Sequence, residues 1–523
     1  MSDLIFAKNP IMPGFYPDPS ICAVGENYYL CNSTFAYFPG LSLMHSKDLV
    51  HWEQIGNVLD RHSQLPLQGA DHSQGLFAPT IRYHDGVFYV ICTNVTHGGN
   101  FIVTATNPEG PWSEPHYLED ADGIDPSLFF DDDGKCYYIG THPNPDGGAK
   151  YNGDWYIYIS EVDLNEWKLV GGKKDVWNGA LKRCIWPEGP HIYKENGYYY
   201  IMHAEGGTGP EHSVMICRSK DIWGPYEGNP KNPILTHRHL GKDYPIKYVG
   251  HGDIIKTPKG EWFMTMLAVR PLNRYTTMGR ETFLAKFIWE DEWPVVNPGT
   301  GILTKMIPID LPSWDPEKDP TSYTCRTGHK TTIPGTDKDY VFSSMKELGD
   351  EFLFLRNYPD DMYRLDGTGL ALKAGKDDIK AVASPSYISI RQQHHHFVST
   401  ATLDTASLKD GESAGLVLLQ NNLYNLRGEI TDGQCRMIIC KDGNDEVIGS
   451  AEASGSVKIG IVVDGLKTKV LCNGKELGEA TVEALSTEVA GGFVGCCIGL
   501  YVSANGKDSD TYVNFTNFTY TGK

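Results

Sequence analysis

Residues 84–94 read HDGVFYVICTN, a polar turn followed by a run in which aromatic and β-branched residues predominate. The same pattern recurs as VGENYYLCNST (24–34), DDGKCYYIGTH (132–142), KENGYYYIMHAE (194–205) and TPKGEWFMTMLA (257–268). Asp-Gly and Asn-Gly favour tight hairpin turns because both residues tolerate positive φ, and the runs that follow have strand composition. Five copies of one hairpin within 300 residues predict a repeat architecture built from small antiparallel sheets.

A tryptophan-bearing element follows each hairpin and completes the repeat. These residues are Trp52, Trp112, Trp167, Trp223 and Trp293, which lie 55 to 70 positions apart. One small sheet cannot bury both of its faces, whereas five sheets packed around an axis can. The sequence therefore predicts a five-bladed β-propeller over residues 1–310.

The pattern changes after the fifth repeat. Residues 311–345 are rich in Pro, Asp, Lys and Thr, which predicts a linker. From 346 to 523 short alternating strands are separated by Gly-containing turns, as in KIGIVVDGLKTKVLCNGKELG (458–478). We predict a second domain there, a β-sandwich of jelly-roll or concanavalin-like type, so that the fold class is all-β throughout.

Charge and hydropathy exclude two classes of partner. The chain has 46 basic and 66 acidic residues, a net charge of −20, and no basic block, so a nucleic-acid backbone is not expected to bind. No apolar run of about 18 residues is present, so no membrane span is expected. The first residues show no secretion signal, which predicts a cytoplasmic location. The sequence leaves open whether the chain forms a homo-oligomer.

The segment before each hairpin is predicted to be the innermost strand of its blade. These segments are FYPDPSI (15–21), FAPTI (77–81), IDPSLF (124–129), WPEGPHI (186–192) and GHGDII (250–255). Equivalent positions on successive blades surround the axis, so Asp18, Asp125, Glu188 and His251 are expected to meet at one mouth. The second blade is expected to add only Phe77 and Ala78, neither of them ionisable.

Three carboxylates in one cavity repel one another, and their pKa values must therefore separate. An acid–base enzyme requires such a separation, whereas a structural protein gains nothing from it. The predicted cluster therefore favours catalysis. Two rival classes, a non-catalytic sugar-binding propeller and an interaction scaffold, would not need the three acids.

At these segments, and at GRETFL (279–284), the chain resembles glycoside hydrolase family 43. The family comprises five-bladed propellers that act, with inversion, on arabinose- and xylose-containing plant polysaccharides. The resemblance implies that Asp18 is the general base, Glu188 the general acid, and Asp125 a modulator that raises the pKa of Glu188 and orients it. The C-terminal part resembles the β-sandwich of the xylosidase-like branch, in which a sandwich loop closes part of the pocket.

The resemblance also implies sugar contacts from Phe35, Thr208 and Arg280. It further implies that His251 faces a mostly water-coordinated calcium ion in the axial channel, although a histidine that hydrogen-bonds within the site is the alternative. Phe77, with Ala78 beside it, stands where many β-xylosidases of the family have Trp. No organic cofactor is expected.

The predicted activity is that of an exo-acting, inverting glycoside hydrolase on small oligosaccharides. Terminal α-L-arabinofuranose from arabinoxylan-derived chains is the first candidate product. The alternative is a β-D-xylosidase, or a dual enzyme, acting on xylo-oligosaccharides.

Overall fold

The computed structural model describes residues 4–145, 147–320 and 332–523. Strands dominate these ranges, and their helical elements are α1 (Thr487–Ala490) and two 3₁₀ turns at Phe342–Ser344 and Glu483–Leu485. None of the described helices has the length and apolar character that crossing a bilayer requires.

Five antiparallel sheets follow one another along the chain after an initial strand, β1 (Ile5–Lys8). Blade 1 contains β2 (Ser20–Val24), β3 (Asn27–Asn32), β5 (Gly40–Ser46) and β6 (Glu53–Leu59), with β4 (Tyr37–Phe38) set apart from it. Blade 2 contains β7 (Thr80–His84), β8 (Val87–Asn94), β9 (Gly99–Ala105) and β10 (His116–Tyr117). Blade 3 contains β11 (Ile124–Phe130), β12 (Cys136–Pro143), β13 (Trp155–Asp163) and β14 (Lys168–Trp177).

The last two blades have the same antiparallel order. Blade 4 contains β15 (Glu188–Glu195), β16 (Tyr198–Glu205), β17 (Ser213–Ser219) and β18 (Glu227–Gly228), with β19 (Leu235–Thr236) also on β17. Blade 5 contains β20 (Lys247–Lys256), β21 (Trp262–Val269), β22 (Glu281–Glu290) and β23 (Trp293–Val296). β24 (Met306–Ile309) then pairs with β1, so the chain before blade 1 is joined to the chain after blade 5.

The blades close into a ring through their first strands. β2 contacts β7, β7 contacts β11, β11 contacts β15, β15 contacts β20, and β20 returns to β2. The predicted hairpins connect the first and second strands, and their turns have the expected positive φ, as at Asp85 (47°) and Asn196 (51°). The predicted five-bladed propeller is therefore present, with the predicted segments at its axis.

Two eight-stranded sheets form the C-terminal sandwich. One contains β25 (Lys338–Val341), β27 (Tyr363–Leu365), β28 (Leu370–Lys373), β30 (His396–Asp404), β35 (Ser456–Asp464), β36 (Lys467–Cys472), β37 (Lys475–Thr481) and β39 (Tyr512–Gly522). The other contains β26 (Leu353–Leu355), β29 (Ser386–Arg391), β31 (Ser413–Asn421), β32 (Tyr424–Thr431), β33 (Gln434–Lys441), β34 (Asn444–Glu452), β38 (Cys497–Ser503) and β4 of the propeller region. β25 falls inside the predicted linker, and residues 321–331 of that linker lie outside the described residues.

The sandwich is fixed directly onto blade 1. Strand β4 pairs with β26, and one apolar core continues from the first two blades into the sandwich. Two buried guanidinium groups cross the boundary: Arg356 donates to the Ala70 carbonyl oxygen at 2.5 Å, and Arg391 donates to the Phe15 carbonyl oxygen at 2.6 Å. Such contacts hold the second domain at the mouth where FYPDPSI enters the propeller.

Candidate active site

The predicted catalytic residues lie where the innermost strands are irregular. Asp18, Asp125 and His251 have φ values of 50°, 53° and 51°, and Gly189, which follows Glu188, has a φ of 57°. The strand register shifts around Asp125, after Glu188 and around His251. A left-handed non-glycine residue costs on the order of 1–3 kcal/mol, and such residues, like bulges, cluster where side chains are aimed at a functional site.

Direct contacts within two groups, and charge interactions between the groups, join these residues into one cluster. Arg280, immediately before β22, donates from Nη1 to Oδ1 of Asp18 at 2.7 Å and from Nη2 to Oδ2 at 3.3 Å. The Gly189 amide donates to Oδ2 of Asp125 at 3.2 Å. The His251 ring packs on Gly189 so closely that a Cβ there would lie 2.7 Å from Cε1. The structure thus brings together the acids of blades 1, 3 and 4, as the repeat predicts.

The acids do not share one electrostatic environment. Burial raises the pKa of Glu188 well above its ordinary value, and the charges of Asp125 and Asp18 raise it further, while Arg280 opposes them. Burial also raises the pKa of Asp125 to about 6, with Asp18 adding to the rise and His251 reducing it. Burial and neighbouring charge therefore favour the protonated form of Glu188, whereas Asp18 is ion-paired with a fixed cation. A protonated acid and a paired carboxylate in one pocket are the groups that acid–base chemistry needs.

Each of the two domains matches a known family model. Residues 7–294 match the sequence profile described as "Glycosyl hydrolases family 43", and residues 340–521 match the one described as "Beta xylosidase C-terminal Concanavalin A-like domain". The chain belongs to glycosyl hydrolase family 43.

Full-length relatives support the assignment. A "Xylosidase/arabinosidase" from Butyrivibrio fibrisolvens is 48% identical over 99% of both chains. A "Non-reducing end alpha-L-arabinofuranosidase" from Bacteroides ovatus is 37% identical over 98% of this chain and 94% of its own. The solved structure of a xylan beta-1,4-xylosidase from Bacillus halodurans superposes with a TM-score of 0.87 at 31% identity, covering 98% of this chain and all of that one. This family 43 chain is therefore a glycoside hydrolase with oligosaccharide substrates, and the predicted all-β propeller and sandwich are confirmed.

Aromatic side chains from both domains form one wall of the family 43 site. The ring centroid of Phe35 lies 5.6 Å from that of Phe77 and 5.9 Å from that of Phe493, a sandwich residue. The Arg280 guanidinium lies 5.4 Å from the rings of both Phe35 and Phe493. Sequence reasoning anticipated a sandwich loop here but not Phe493, because no local pattern marks it.

The Phe493 loop is anchored to the propeller on either side of the ring. Thr276 donates its amide to Oε2 of Glu488 at 2.6 Å, and the Phe493 amide donates to Oγ of Ser73 at 2.9 Å. The Phe493 carbonyl oxygen accepts a long hydrogen bond of 3.5 Å from Nη2 of Arg280. The loop therefore touches the same arginine that pairs with Asp18.

Three further polar or small residues of the propeller are buried in whole or in part. Ala78 is buried beside Phe77, and Thr208 has a buried Oγ1 with no hydrogen-bond partner among the described residues. His212, which the sequence did not single out, packs its ring on Gly250 and hydrogen-bonds through Nδ1 to the Tyr248 carbonyl oxygen at 2.9 Å. Burial lowers the pKa of His212 to about 3, so its ring is neutral. Its only sequence signal is its place four residues after Thr208.

Blade 2 also places an ionisable group on the axis, below the mouth to which it was expected to add only Phe77 and Ala78. Arg82 of β7 extends to the axis, where Nη1 lies 2.7 Å from Oδ2 of Asp253 and Nη2 lies 3.0 Å from Nδ1 of His191. Alternate residues of a strand face the same side, so Thr80 and Arg82 both point inward, one layer deeper than Phe77 and Ala78.

The donors around His251 do not fit the calcium ion that the resemblance implies. Calcium takes six to eight oxygen ligands. Across the described ranges, no group of three histidine, cysteine or acidic side chains is arranged to hold a metal. The Arg82 guanidinium, itself a cation, lies on the axis two residues along the strands from His251, in contact with Asp253. The calcium prediction itself stays untested.

Proposed function

We propose that this chain is an exo-acting, inverting glycosidase that releases terminal α-L-arabinofuranose from arabinoxylan-derived oligosaccharides. In this proposal Asp18 is the general base, Glu188 the general acid and Asp125 the modulator. The observation that carries it is the contrast between two carboxyl groups in one pocket: Asp18 is ion-paired with Arg280, while burial and neighbouring charge raise the pKa of Glu188.

The proposed reaction uses the general base and the general acid together in a single displacement. Asp18 removes a proton from water as the water oxygen attacks the anomeric carbon, and Glu188 gives its proton to the leaving oxygen on the opposite face. The glycosidic bond breaks as the new carbon–oxygen bond forms, so the configuration inverts. Afterwards Asp18 holds a proton and Glu188 is ionised, and exchange with solvent restores both.

Release of one terminal sugar is supported by the shape of the mouth. Phe493 and its anchored loop cover the side of the pocket next to Arg280, which leaves less room for a chain that continues past the cleaved residue. Arg280 presents a planar guanidinium beside Phe35, an arrangement that suits paired sugar hydroxyls.

One residue of the pocket and the names of the relatives bear on which sugar is released. Phe77 in place of a tryptophan, and the relative from Bacteroides ovatus, favour arabinofuranose. The relative from Butyrivibrio fibrisolvens carries both activities in its name, and the sandwich matches a domain named for β-xylosidases. A dual arabinofuranosidase and β-D-xylosidase is therefore the second candidate.

Proton NMR of a reaction on arabinoxylo-oligosaccharides tests the proposal directly. We expect free arabinose to appear first, with the anomeric signal of the inverted product preceding mutarotation. Xylose as the faster product would replace the first candidate with the second. Retention of configuration, or no release of either pentose, would contradict the proposed mechanism.

Glu188→Ala separates catalysis from binding. We expect this variant to lose hydrolysis while an arabinoxylo-oligosaccharide still raises its melting temperature. A sugar-binding propeller without catalysis would show that melting shift in both proteins and hydrolysis in neither.

A further inference from the structure

A single guanidinium group contacts all five blades of the propeller. Arg82 of blade 2 lies 3.3 Å from Oγ of Ser20 in blade 1 and 3.4 Å from Oγ of Ser127 in blade 3. It lies 3.0 Å from Nδ1 of His191 in blade 4 and 2.7 Å from Oδ2 of Asp253 in blade 5. The five innermost strands therefore converge on one positive charge.

This charge lies directly beneath the acids of the active site. Each partner of Arg82 follows a residue of the upper layer in the same segment of the chain: Ser20 after Asp18, Ser127 after Asp125, His191 after Glu188, and Asp253 after His251. The separation is two residues in three blades, and three residues in blade 4, where the register shifts between Glu188 and His191. Because alternate residues share a face, the two layers are stacked along the axis.

The lower layer, which consists of Arg82 and its partners, is built around a buried ion pair. Asp253 is fully buried, and besides Arg82 its carboxylate accepts hydrogen bonds from Ser20 Oγ and Tyr193 Oη, both at 2.6 Å. Burial alone would raise the pKa of Asp253, but the charge of Arg82 lowers it, so Asp253 is an anion. Burial lowers the pKa of His191 to about 3, which leaves Nδ1 of the neutral ring free to accept from Arg82.

We propose that Arg82 is a built-in axial cation that takes the place of calcium in this chain. It holds the five innermost strands together beneath the active-site acids, and hydrolysis then requires no divalent ion. Arg82 acts through the strands and touches no substrate, so it is a positioning residue.

Two features of the lower layer disfavour the binding of a metal ion. The oxygens of Asp253, the nearest anion, are already engaged by Arg82, Ser20 and Tyr193. A divalent ion close to the Arg82 guanidinium would also be repelled, because like charges interact strongly in a site of low dielectric.

The first test uses the unmodified protein and calcium chloride. After dialysis against EDTA, we expect no stoichiometric binding by titration calorimetry and a melting temperature that calcium shifts by less than about 1 °C. We expect pentoside hydrolysis to stay within about twofold of its value before dialysis. Binding of one calcium ion per chain, or a rate restored fivefold or more by calcium, would overturn the proposal. Binding and melting are measured without turnover, so they test Arg82 even if the proposed sugar specificity fails.

The second test removes the charge. We expect Arg82→Met to lower kcat at least tenfold and to change the pH profile of kcat/KM, because the strands that carry the acids lose their common anchor. Arg82→Lys keeps the charge but loses the planar guanidinium group, and it should retain more activity than Arg82→Met. Arg427→Met is the matched control, since Arg427 is a buried sandwich residue paired with Asp445 at 2.8 Å.

The control separates positioning from stability. Arg427→Met should lower the melting temperature and leave kcat and the pH profile unchanged. A folded Arg82→Met variant with the kcat and pH profile of the unmodified protein would overturn the proposal. If that variant does not fold, the activity of Arg82→Lys and the calcium titration of the unmodified protein still decide it.

Discussion

Asp125→Asn tests whether the neighbouring acid sets the protonation of Glu188. The substitution removes the negative charge but keeps an oxygen that can accept the hydrogen bond from the Gly189 amide, now 3.2 Å from Oδ2. After burial, the charge of Asp125 contributes most to the raised pKa of Glu188. We therefore expect the pKa of Glu188 to fall in the variant while the site keeps its shape.

The size of the shift follows from the geometry. Gly189 is adjacent to Glu188, so the two carboxyl groups are on the order of 4–8 Å apart, given the 3.8 Å spacing of neighbouring Cα atoms. At an effective dielectric constant of about 20, their repulsion is about 2–4 kcal/mol. Each pKa unit corresponds to 1.36 kcal/mol, so removing a repulsion of this size should lower the pKa of Glu188 by a measurable amount. Asp125, with a pKa of about 6, exerts this effect only above that pH.

The sign of the change is visible in the pH dependence of kcat/KM. Glu188 acts in its protonated form, so a lower pKa makes activity decline at a lower pH, and the alkaline limb should move down by at least about 1 unit. The assay is a series of kcat/KM values for a 4-nitrophenyl pentoside across neutral and alkaline pH. An alkaline limb that stays in place or moves up would refute the reasoning.

Asp131→Asn is the matched control for this experiment. Asp131 is a buried carboxylate at the far end of the same innermost strand, paired with Lys194 Nζ at 2.6 Å. Removing its charge should lower stability and leave the alkaline limb where it is, because Asp131 does not contribute to the pKa of Glu188.

Three further outcomes are expected. Glu188→Gln should slow the hydrolysis of oligosaccharides by about 10²–10⁴-fold. It should slow the hydrolysis of an activated nitrophenyl pentoside far less, because nitrophenolate leaves without a proton. Equal losses on both substrates would contradict the role of Glu188 as general acid. Asp125→Asn should raise the free energy of unfolding at pH 7.5 by up to about 3 kcal/mol, since the pKa of Asp125 rises from 3.8 to about 6 on folding and a buried anion is then avoided. Urea unfolding should show that gain shrinking as the pH falls from 6 towards 3.8, and a gain independent of pH would argue against it. Phe493→Ala should raise KM about 5–10-fold with little change in kcat. Val489→Ala is the control, because Val489 is exposed on the adjoining helix α1, and it should change neither constant. A loss confined to kcat would indicate that Phe493 acts in the chemical step.

The fold could be predicted because its signals are local. Each hairpin carries its own turn residues and alternating strand, so five copies define the propeller without knowledge of any long-range contact. The same periodicity placed Asp18, Asp125 and Glu188 at equivalent positions, and the structure brings them together. Their catalytic roles stay predictions.

What could not be predicted depends on pairing between distant segments. Strand β4 leaves blade 1 to pair with β26, more than 300 residues later, and β25 joins the sandwich from within a stretch of linker-like composition. Phe493 reaches the pocket only because its loop is anchored to Thr276 and Ser73. Arg82 carries no signal of this kind for a different reason: the repeated segment of blade 2, FAPTI, ends one residue before it.

The two axial layers explain how a strained, like-charged site can persist in a stable fold. The upper layer combines left-handed residues with three acids that repel one another, and each of these features destabilises the folded state. The acids themselves join neighbouring blades, since Asp18 pairs with Arg280 and Asp125 accepts from the Gly189 amide. The contacts one layer deeper, on Arg82 and Asp253, add strand-joining hydrogen bonds that involve no group required to change protonation. On this view the buried ion pair is required by the crowding above it, and weakening the pair should disturb the proton affinities of the acids before it unfolds the propeller.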